Sequence, residues 1–416
     1  MKLPWKNISA FGMIVVILAL VFCAEKENTG FKDKQKPYSI LLGEFERRNQ
    51  IENFRSALNT VLYNDLRIEK IYDRNYKLYY GRFSSSFQAG QTAFDLFTQK
   101  IIKKNYKITR DGKPVFDSYA NVMFVSKYLE RPSVFSYNLL NNQTEIEWSN
   151  YGTKVISLNH SSDHSTAFIT TARSYGNQRG MHFVNGVKVF LFRPEEELNL
   201  EIESLGNGVQ LYTYWENRDT FKVNLSRIDT INSRTVIQKI HSYDLKGKTG
   251  KTLERKYDLL SGGFPAPPSR TPIFISPNSR FRFREVYSQG ESYIYLRDFD
   301  EKSEQLTLTL RGKILDARWS DDGDYLFIIT EYKNEKERNL KFTSSSELFV
   351  IDAVTKKLVR TFSGFDYENI LVHGKLLFFD ERSDNTSRIA IYNYNRDKII
   401  HTITMYSGCG LNNLSL

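Results

Sequence analysis

Cysteine is almost missing from this chain. Only Cys23 and Cys409 occur in 416 residues. Two thiols this far apart supply no structural metal framework, so stability must come from packing. Histidine is scarce as well, at six residues: His160, His164, His182, His241, His373 and His401. None is paired at metal-ligand spacing, and no HExxH, GxSxG, P-loop or GxGxxG pattern occurs. The sequence therefore nominates no catalytic residue, no metal and no cofactor. The apolar run Ile8–Phe22, broken only by Ser9 and Gly12, is short for a membrane span and has the length of an export-signal core.

The composition that remains is that of an ordinary globular protein, with 40% apolar and 25% charged residues. The length allows two or three domains with sizeable cores. Tyr and Phe, at 25 and 29 residues, favour strands. The net charge of +10 invites polyanions, but the basic residues are scattered, as on a solvated surface.

The N-terminus carries the address. Lys2 and Lys6 precede the apolar run, and LALVFC places Cys23 at its end, before the polar AEKENTG. This pattern resembles a bacterial lipoprotein signal, with Phe22 where a small residue is usual. The resemblance implies cleavage before Cys23, acylation of its thiol and anchoring by the acyl chains. An ordinary secreted protein and an uncleaved anchor are the alternatives, and all three put the body outside the cytoplasm. With Cys23 acylated, no intramolecular disulfide forms. Residues 24–36 read as a polar tether.

Residues 37–112 read as a compact α+β unit. YSILLGEF (38–45) and YKLYYGRF (76–83) are two versions of Tyr-x-φ-x-φ-Gly-x-Phe, φ being a large apolar or aromatic residue. Each is a strand leading to an amphipathic helix. Ile51, Phe54, Leu58, Val61 and Leu62 line a helix over 47–63. Gly90, Phe94, Phe97 and Ile101 line a second, with an N-cap among Ser84–Ser86. LRIEKIY (66–72) and Tyr106–Arg110 complete the order β-α-β-β-α-β, the split βαβ sandwich.

This unit resembles the SPOR (sporulation-related repeat) domain, on Tyr38, Ile40, Leu42, Gly43 and Phe45 and on Tyr76, Leu78, Tyr80, Gly81, Phe83, Ser84 and Ser85. The resemblance implies binding of peptidoglycan glycan strands stripped of their peptides. Alternation turns Tyr38, Ile40, Leu42, Tyr76, Leu78 and Tyr80 toward the helices. It turns Ser39, Leu41, Lys77 and Tyr79 onto an open sheet face. With Gly43 and Gly81 for close approach and Arg82 for hydroxyls, these are the candidate sugar contacts. Leu41 stands where the family often has Gln. The same topology serves RNA-binding modules, but export argues against nucleic acid.

From residue 113 a turn followed by an aromatic or β-branched strand recurs. The turns are at Ser118, Asp163-His164, Asn207-Gly208, Asn278-Ser279, Asp322-Gly323 and His373-Gly374, spaced by about 45, 44, 71, 44 and 51 residues. A period near 44 is that of a four-stranded propeller blade. RWSDDGDYLFII (318–329) resembles the repeats of Trp-Asp and Tol-type propellers. The expectation for 113–416 is an all-β propeller of six blades, with seven the alternative. Glu195–Glu197 reads as a solvated loop, Asp321–Asp324 as a hairpin turn rather than a calcium loop, and SGGFPAPPSRTP (261–272) as an inter-blade connection.

The expected function is that of an exported, lipid-anchored cell-envelope protein, periplasmic, tethered to peptidoglycan by its first domain and presenting a propeller to a protein partner. The alternatives are a propeller hydrolase or lyase delivered to the wall, and an interaction scaffold without sugar binding.

Overall fold

A computed structural model describes residues 36–414 except 57, 59, 73–74, 162–163, 179–180, 218, 260–273, 301–303, 334–343 and 384–385. The export signal, Cys23, nearly all of the tether and the Pro-rich stretch lie outside the described residues. Among those described, no helix is long and apolar enough to cross a membrane. The chain divides into two compact units, 1–119 and 120–416.

The first unit runs β1 (Tyr38–Phe45), α1 (Arg48–Ser56), a 3-10 turn (Thr60–Asp65), β2 (Leu66–Tyr72), β3 (Asn75–Phe83), α2 (Ser86–Thr98), β4 (Lys107–Arg110) and β5 (Lys113–Pro114). Its antiparallel sheet has the order β2-β3-β1-β4-β5. The two copies of the repeated phrase are thus neighbours at its centre. The single helix expected over 47–63 stops at Ser56 and resumes as the 3-10 turn. Ile51, Leu58 and Leu62 are nonetheless all buried. Ser85 is the N-cap of α2, its hydroxyl accepting from Gln88 N at 3.1 Å. Residues 113–119 belong to this unit because they pack on α2. Phe87 and Phe94 meet the Tyr119 ring at 5.2 and 5.5 Å between centroids. A Cβ at Gly90 would lie 2.2 Å from Asp117 Oδ1, so only glycine admits that approach.

The second unit consists, among the described residues, of six antiparallel sheets. The first joins β6 (Asn121–Tyr128), β7 (Arg131–Asn138) and β8 (Gln143–Trp148). The second contains β9 (Lys154–His160), β10 (Ala167–Ala172), β11 (Ser174–Gln178), β12 (Met181–Arg193) and β13 (Leu198–Gly208). The third is β14 (Gln210–Trp215), β15 (Thr220–Ile228), β16 (Thr235–Asp244) and β17 (Leu253–Asp258). The fourth is β18 (Phe281–Ser288), β19 (Glu291–Asp298) and β20 (Gln305–Arg311). The fifth is β21 (Lys313–Trp319), β22 (Tyr325–Lys333), β23 (Ser344–Asp352) and β24 (Lys357–Phe362). The sixth is β25 (Ile370–His373), β26 (Leu376–Arg382), β27 (Ser387–Asn393) and β28 (Lys398–Thr404). The last strand, β29 (Cys409–Gly410), returns to pair with β6 and completes the first sheet.

Successive sheets share apolar clusters. Phe283 and Trp319 join the fourth to the fifth, Phe327 and Phe379 the fifth to the sixth. Phe378 and Phe124 join the sixth to the first, Trp148 and Phe190 the first to the second, Phe168 and Phe221 the second to the third. Successive antiparallel sheets of three to five described strands, closed by a strand from the far end of the chain, make a propeller-like β fold.

The C-terminal segment ties three sheets together. Leu411 N donates to Asp380 Oδ1 in the sixth sheet at 2.8 Å. Asn412 Nδ2 donates to Asn159 Oδ1 in the second at 3.0 Å. Arg382, 6% exposed, donates to Asn413 Oδ1 at 2.7 Å and pairs with Asp380.

The repeating turns have a common chemistry. Ser161, Ser276 and Ser320 each accept from the backbone N–H five residues on, at 3.1, 2.8 and 2.9 Å. The third residue after each serine, His164, Ser279 or Gly323, has a φ of 54, 58 or 78°. Asp321–Asp324 is thus a hairpin turn. Asn207-Gly208, expected as a turn, is instead the end of strand β13, just before β14 at the edge of the third sheet. The turn at 278 precedes β18, the first described strand of the fourth sheet, whereas those at 322 and 373 precede the second strands of theirs.

Candidate functional site

The face proposed for sugar contact is covered. Tyr79 is 4% exposed, Leu41 3% and Ser39 6%. The cover comes from β2, whose Arg67 lies directly opposite Tyr79 in the ladder. The Arg67 guanidinium donates to Ser39 Oγ at 2.6 Å and sits 5.8 Å from the Tyr79 ring centre. At the other side of the face is the turn Asp111-Gly112, with φ of 49 and 79°. A Cβ at Gly112 would lie 3.7 Å from Tyr79 Oη. Burial raises the Tyr79 hydroxyl above its ordinary pKa, and the carboxylates of Glu69 and Glu44 add to the shift. The open platform expected at Ser39, Leu41 and Tyr79 is therefore corrected to a closed one.

Gly43 is corrected also. Leu41 faces Tyr79, but Gly43 faces Leu78, because a bulge inserts Leu42 between them. Gly43 thereby crosses to the side of Leu78, and Glu44 comes beside Lys77, 3.6 Å away. A second irregularity lies at Gly81, between the pairs Tyr38–Phe83 and Ile40–Tyr80.

Both glycines have a packing reason. A Cβ at Gly43 would come within 2.9 Å of the Phe45 ring, and one at Gly81 within 2.6 Å of the Phe83 ring. The phrase Gly-x-Phe is a glycine covered by the aromatic ring two residues on. Gly81 also needs its positive φ of 66°. Of the expected contacts, Lys77 and Gly81 are partly accessible and Arg82 is exposed. Arg67 was missed, although its place opposite Tyr79 was readable from the alternation of LRIEKIY.

Three of the six histidines converge in the second unit. His160 and His164 follow one another around a turn, with ring centres 5.8 Å apart. His373, at the end of β25, meets His164 edge-on at 5.0 Å. Both ring nitrogens of His160 are buried, and neither makes a hydrogen bond of normal geometry. Burial and then the neighbouring His164 push the His160 imidazole down to about 3, with the Met123 backbone opposing. At neutral pH it is uncharged. Among the described residues no group of His, Cys, Asp or Glu is arranged to hold a metal. His241 bonds Glu203 at 3.1 Å and His401 stacks on Tyr137, so both are accounted for by packing. Glu196 is held by Arg193 at 3.1 Å. This convergence could not be read from spacing, since 209 positions separate His164 from His373.

No family model matches the chain, and no curated protein sequence does. Among solved structures, TolB from Acinetobacter baumannii shares 13% identity over 83% of this chain and 81% of its own, at a TM-score of 0.43. A putative 6-phosphogluconolactonase from Bacteroides uniformis shares 13% over 69% and 97%, at 0.39. The nidogen/laminin complex shares 10% over 71% and 98%, at 0.38. Similarity this distant adds nothing to the case made by the sheets themselves. The class that those sheets define is a propeller-like β protein preceded by a small α+β unit.

Proposed function

We propose that the protein is an exported cell-envelope component, acylated at Cys23, whose first unit binds peptide-stripped glycan strands of peptidoglycan and whose second unit presents a surface to a protein partner. The observation that carries this reading is the pairing of β1 with β3, which sets the two Tyr-x-φ-x-φ-Gly-x-Phe phrases side by side at the centre of one sheet. The export pattern at the N-terminus supports a wall ligand over a nucleic acid. With Ser39, Leu41 and Tyr79 covered, the contacts in this reading fall to the accessible Arg67, Lys77, Gly81 and Arg82. Two attachments on one chain, acyl and glycan, raise each other's effective concentration. The activity proposed is tethering, without bond chemistry.

The test is co-sedimentation of the full chain carrying Cys23→Ser with purified sacculi, before and after amidase treatment. The reading expects binding that rises when peptides are removed. Absence of binding, or no rise, contradicts it. Release of the Cys23→Ser protein from membranes tests the anchor.

A further inference from the structure

The apolar side chains that the second unit leaves most fully in water stand at one end of it. Leu129 is 70% exposed, Tyr151 86%, Ile231 95% and Tyr406 fully. Among the described residues of this unit the next is Leu306, 52% exposed and within β20. The four lie instead in connections between strands: β6 to β7, β8 to β9, β15 to β16 and β28 to β29.

Turn contacts decide which end this is. Asn278 Nδ2 donates to Asp322 O at 2.7 Å, Gly374 N bonds the Asp321 carboxylate, and His373 meets His164. The turns at 164, 278, 322 and 373 therefore share one end, that of the histidines. β10 and β15 both begin there, Phe168 stacking on Phe221 at 4.4 Å between ring centres. β15 then runs to the opposite end, where the chain turns at Ile231. β9 runs from the connection at Tyr151 to His160, so Tyr151 is at that opposite end too. The Arg131 guanidinium, beside Leu129, lies 5.1 Å from the Tyr151 ring centre. Ser126 Oγ, near the end of β6, donates to Gly408 O at 2.8 Å, two residues from Tyr406.

The two ends differ in charge. Asp321, Asp322 and Asp324 belong to the histidine end. So do Glu195, Glu196 and Glu197, because Phe192 pairs with Ala167 and β12 thus finishes beside the start of β10. At the opposite end Arg131, Arg234 and Lys313 are matched by Glu130, Asp229 and Glu291. The net charge of +10 draws the chain toward an anionic surface, and the acidic end turns away from it.

We propose that the end bearing Leu129, Tyr151, Ile231 and Tyr406 lies on a lipid bilayer, with these side chains in the headgroup layer. They stand on separate connections, so each can enter that layer without a complementary surface shaped to receive it. Tyr151 and Tyr406 pair an apolar ring with a hydroxyl, which suits the boundary between chains and water. A second copy would bring the same net charge against itself. Four side chains hold weakly beside acylation, so loss of the acyl chains still releases most of the protein. The surface is in the second unit and stands apart from the peptidoglycan reading.

The experiment is flotation of the chain from residue 24 onward with vesicles of phosphatidylethanolamine and phosphatidylglycerol. That chain keeps every described residue and lacks both Cys23 and the apolar run. It should float with the vesicles, and raised salt should weaken this only modestly. Leu129→Ser/Ile231→Ser should lower the partition coefficient about tenfold, each change removing the transfer of one partly buried apolar side chain. Both positions are exposed, so the double variant should keep its melting temperature. Val354→Ser should float like the wild type, since Val354 is exposed at the histidine end, just beyond the Asp352–Tyr325 pair. No flotation, flotation indifferent to the double variant, or an equal loss in Val354→Ser would overturn the proposal. So would a dimer in solution that the double variant dissociates, because the side chains would then serve a second copy.

Discussion

Arg67 donates to Ser39 Oγ at 2.6 Å and so closes the sheet face on which Tyr79 lies. A guanidinium stem laid across apolar and aromatic atoms contributes by packing as well as by charge. Arg67→Ala should therefore cost about 1 kcal/mol, a charged hydrogen bond discounted for the exposure of the arginine. It should also open Tyr79 to solvent. Urea melts and tyrosine ultraviolet titration check this. An unchanged titration curve would mean that the face is closed by something other than Arg67.

The two motif glycines should behave unequally. Gly81→Ala meets both a ring and a left-handed backbone, and should cost about 2 kcal/mol. Gly43→Ala meets the Phe45 ring alone. Its cost should shrink in a Phe45→Leu background, so that the double variant loses less than the sum of the two single losses in a double-mutant cycle. Additive effects would refute the ring-over-glycine account.

The serine turns offer a matched pair. Ser320 accepts from Tyr325 N and donates to Asp322, and is fully buried. Ser320→Ala should lose about 1–2 kcal/mol. Ser279→Gly should gain about 0.5 kcal/mol, since relief of its positive φ exceeds the added chain entropy. Thermal melts of the two variants should move in opposite directions.

Arg382 is the charge whose loss the closure tolerates least. Its neighbour Asp380 is 0% exposed, and Glu368 and Asn413 also bind it. Arg382→Ala leaves Asp380 buried without its cation and should cost about 3–5 kcal/mol. Protease sensitivity of the C-terminal segment should rise with it. Wild-type resistance in this variant would contradict the stitching role.

Acid should destabilise the protein partly through His160. The folded imidazole is held down at about 3, well below the ordinary value of 6.5. The unfolded state therefore binds more protons between those values. Stability from the neutral ring is present above pH 6.5 and is lost as pH falls toward 3. His160→Phe should flatten the urea-derived stability between pH 6.5 and 4 by up to about 1.4 kcal/mol per pH unit. An unchanged slope would show that other groups carry the acid sensitivity.

The six sheets of the second unit were legible because turn chemistry and strand alternation are local. Asn278-Ser279 and Asp322-Gly323 announce a hairpin within a few residues. The site was less legible because it depends on register. The bulge at Leu42 shifts Gly43 to the other face, which a strict two-residue period cannot foresee. Tyr79 looked free because its cover arrives from another strand and another turn. The three-histidine convergence depends on the placement of two sheets, which no single stretch of sequence encodes.

Co-sedimentation with sacculi bears most directly on the central claim. The full chain carrying Cys23→Ser should pellet with amidase-treated sacculi more than with intact ones. Arg67→Ala/Arg82→Ala should reduce that fraction. Equal pelleting with treated and intact sacculi, or none with either, would contradict the account.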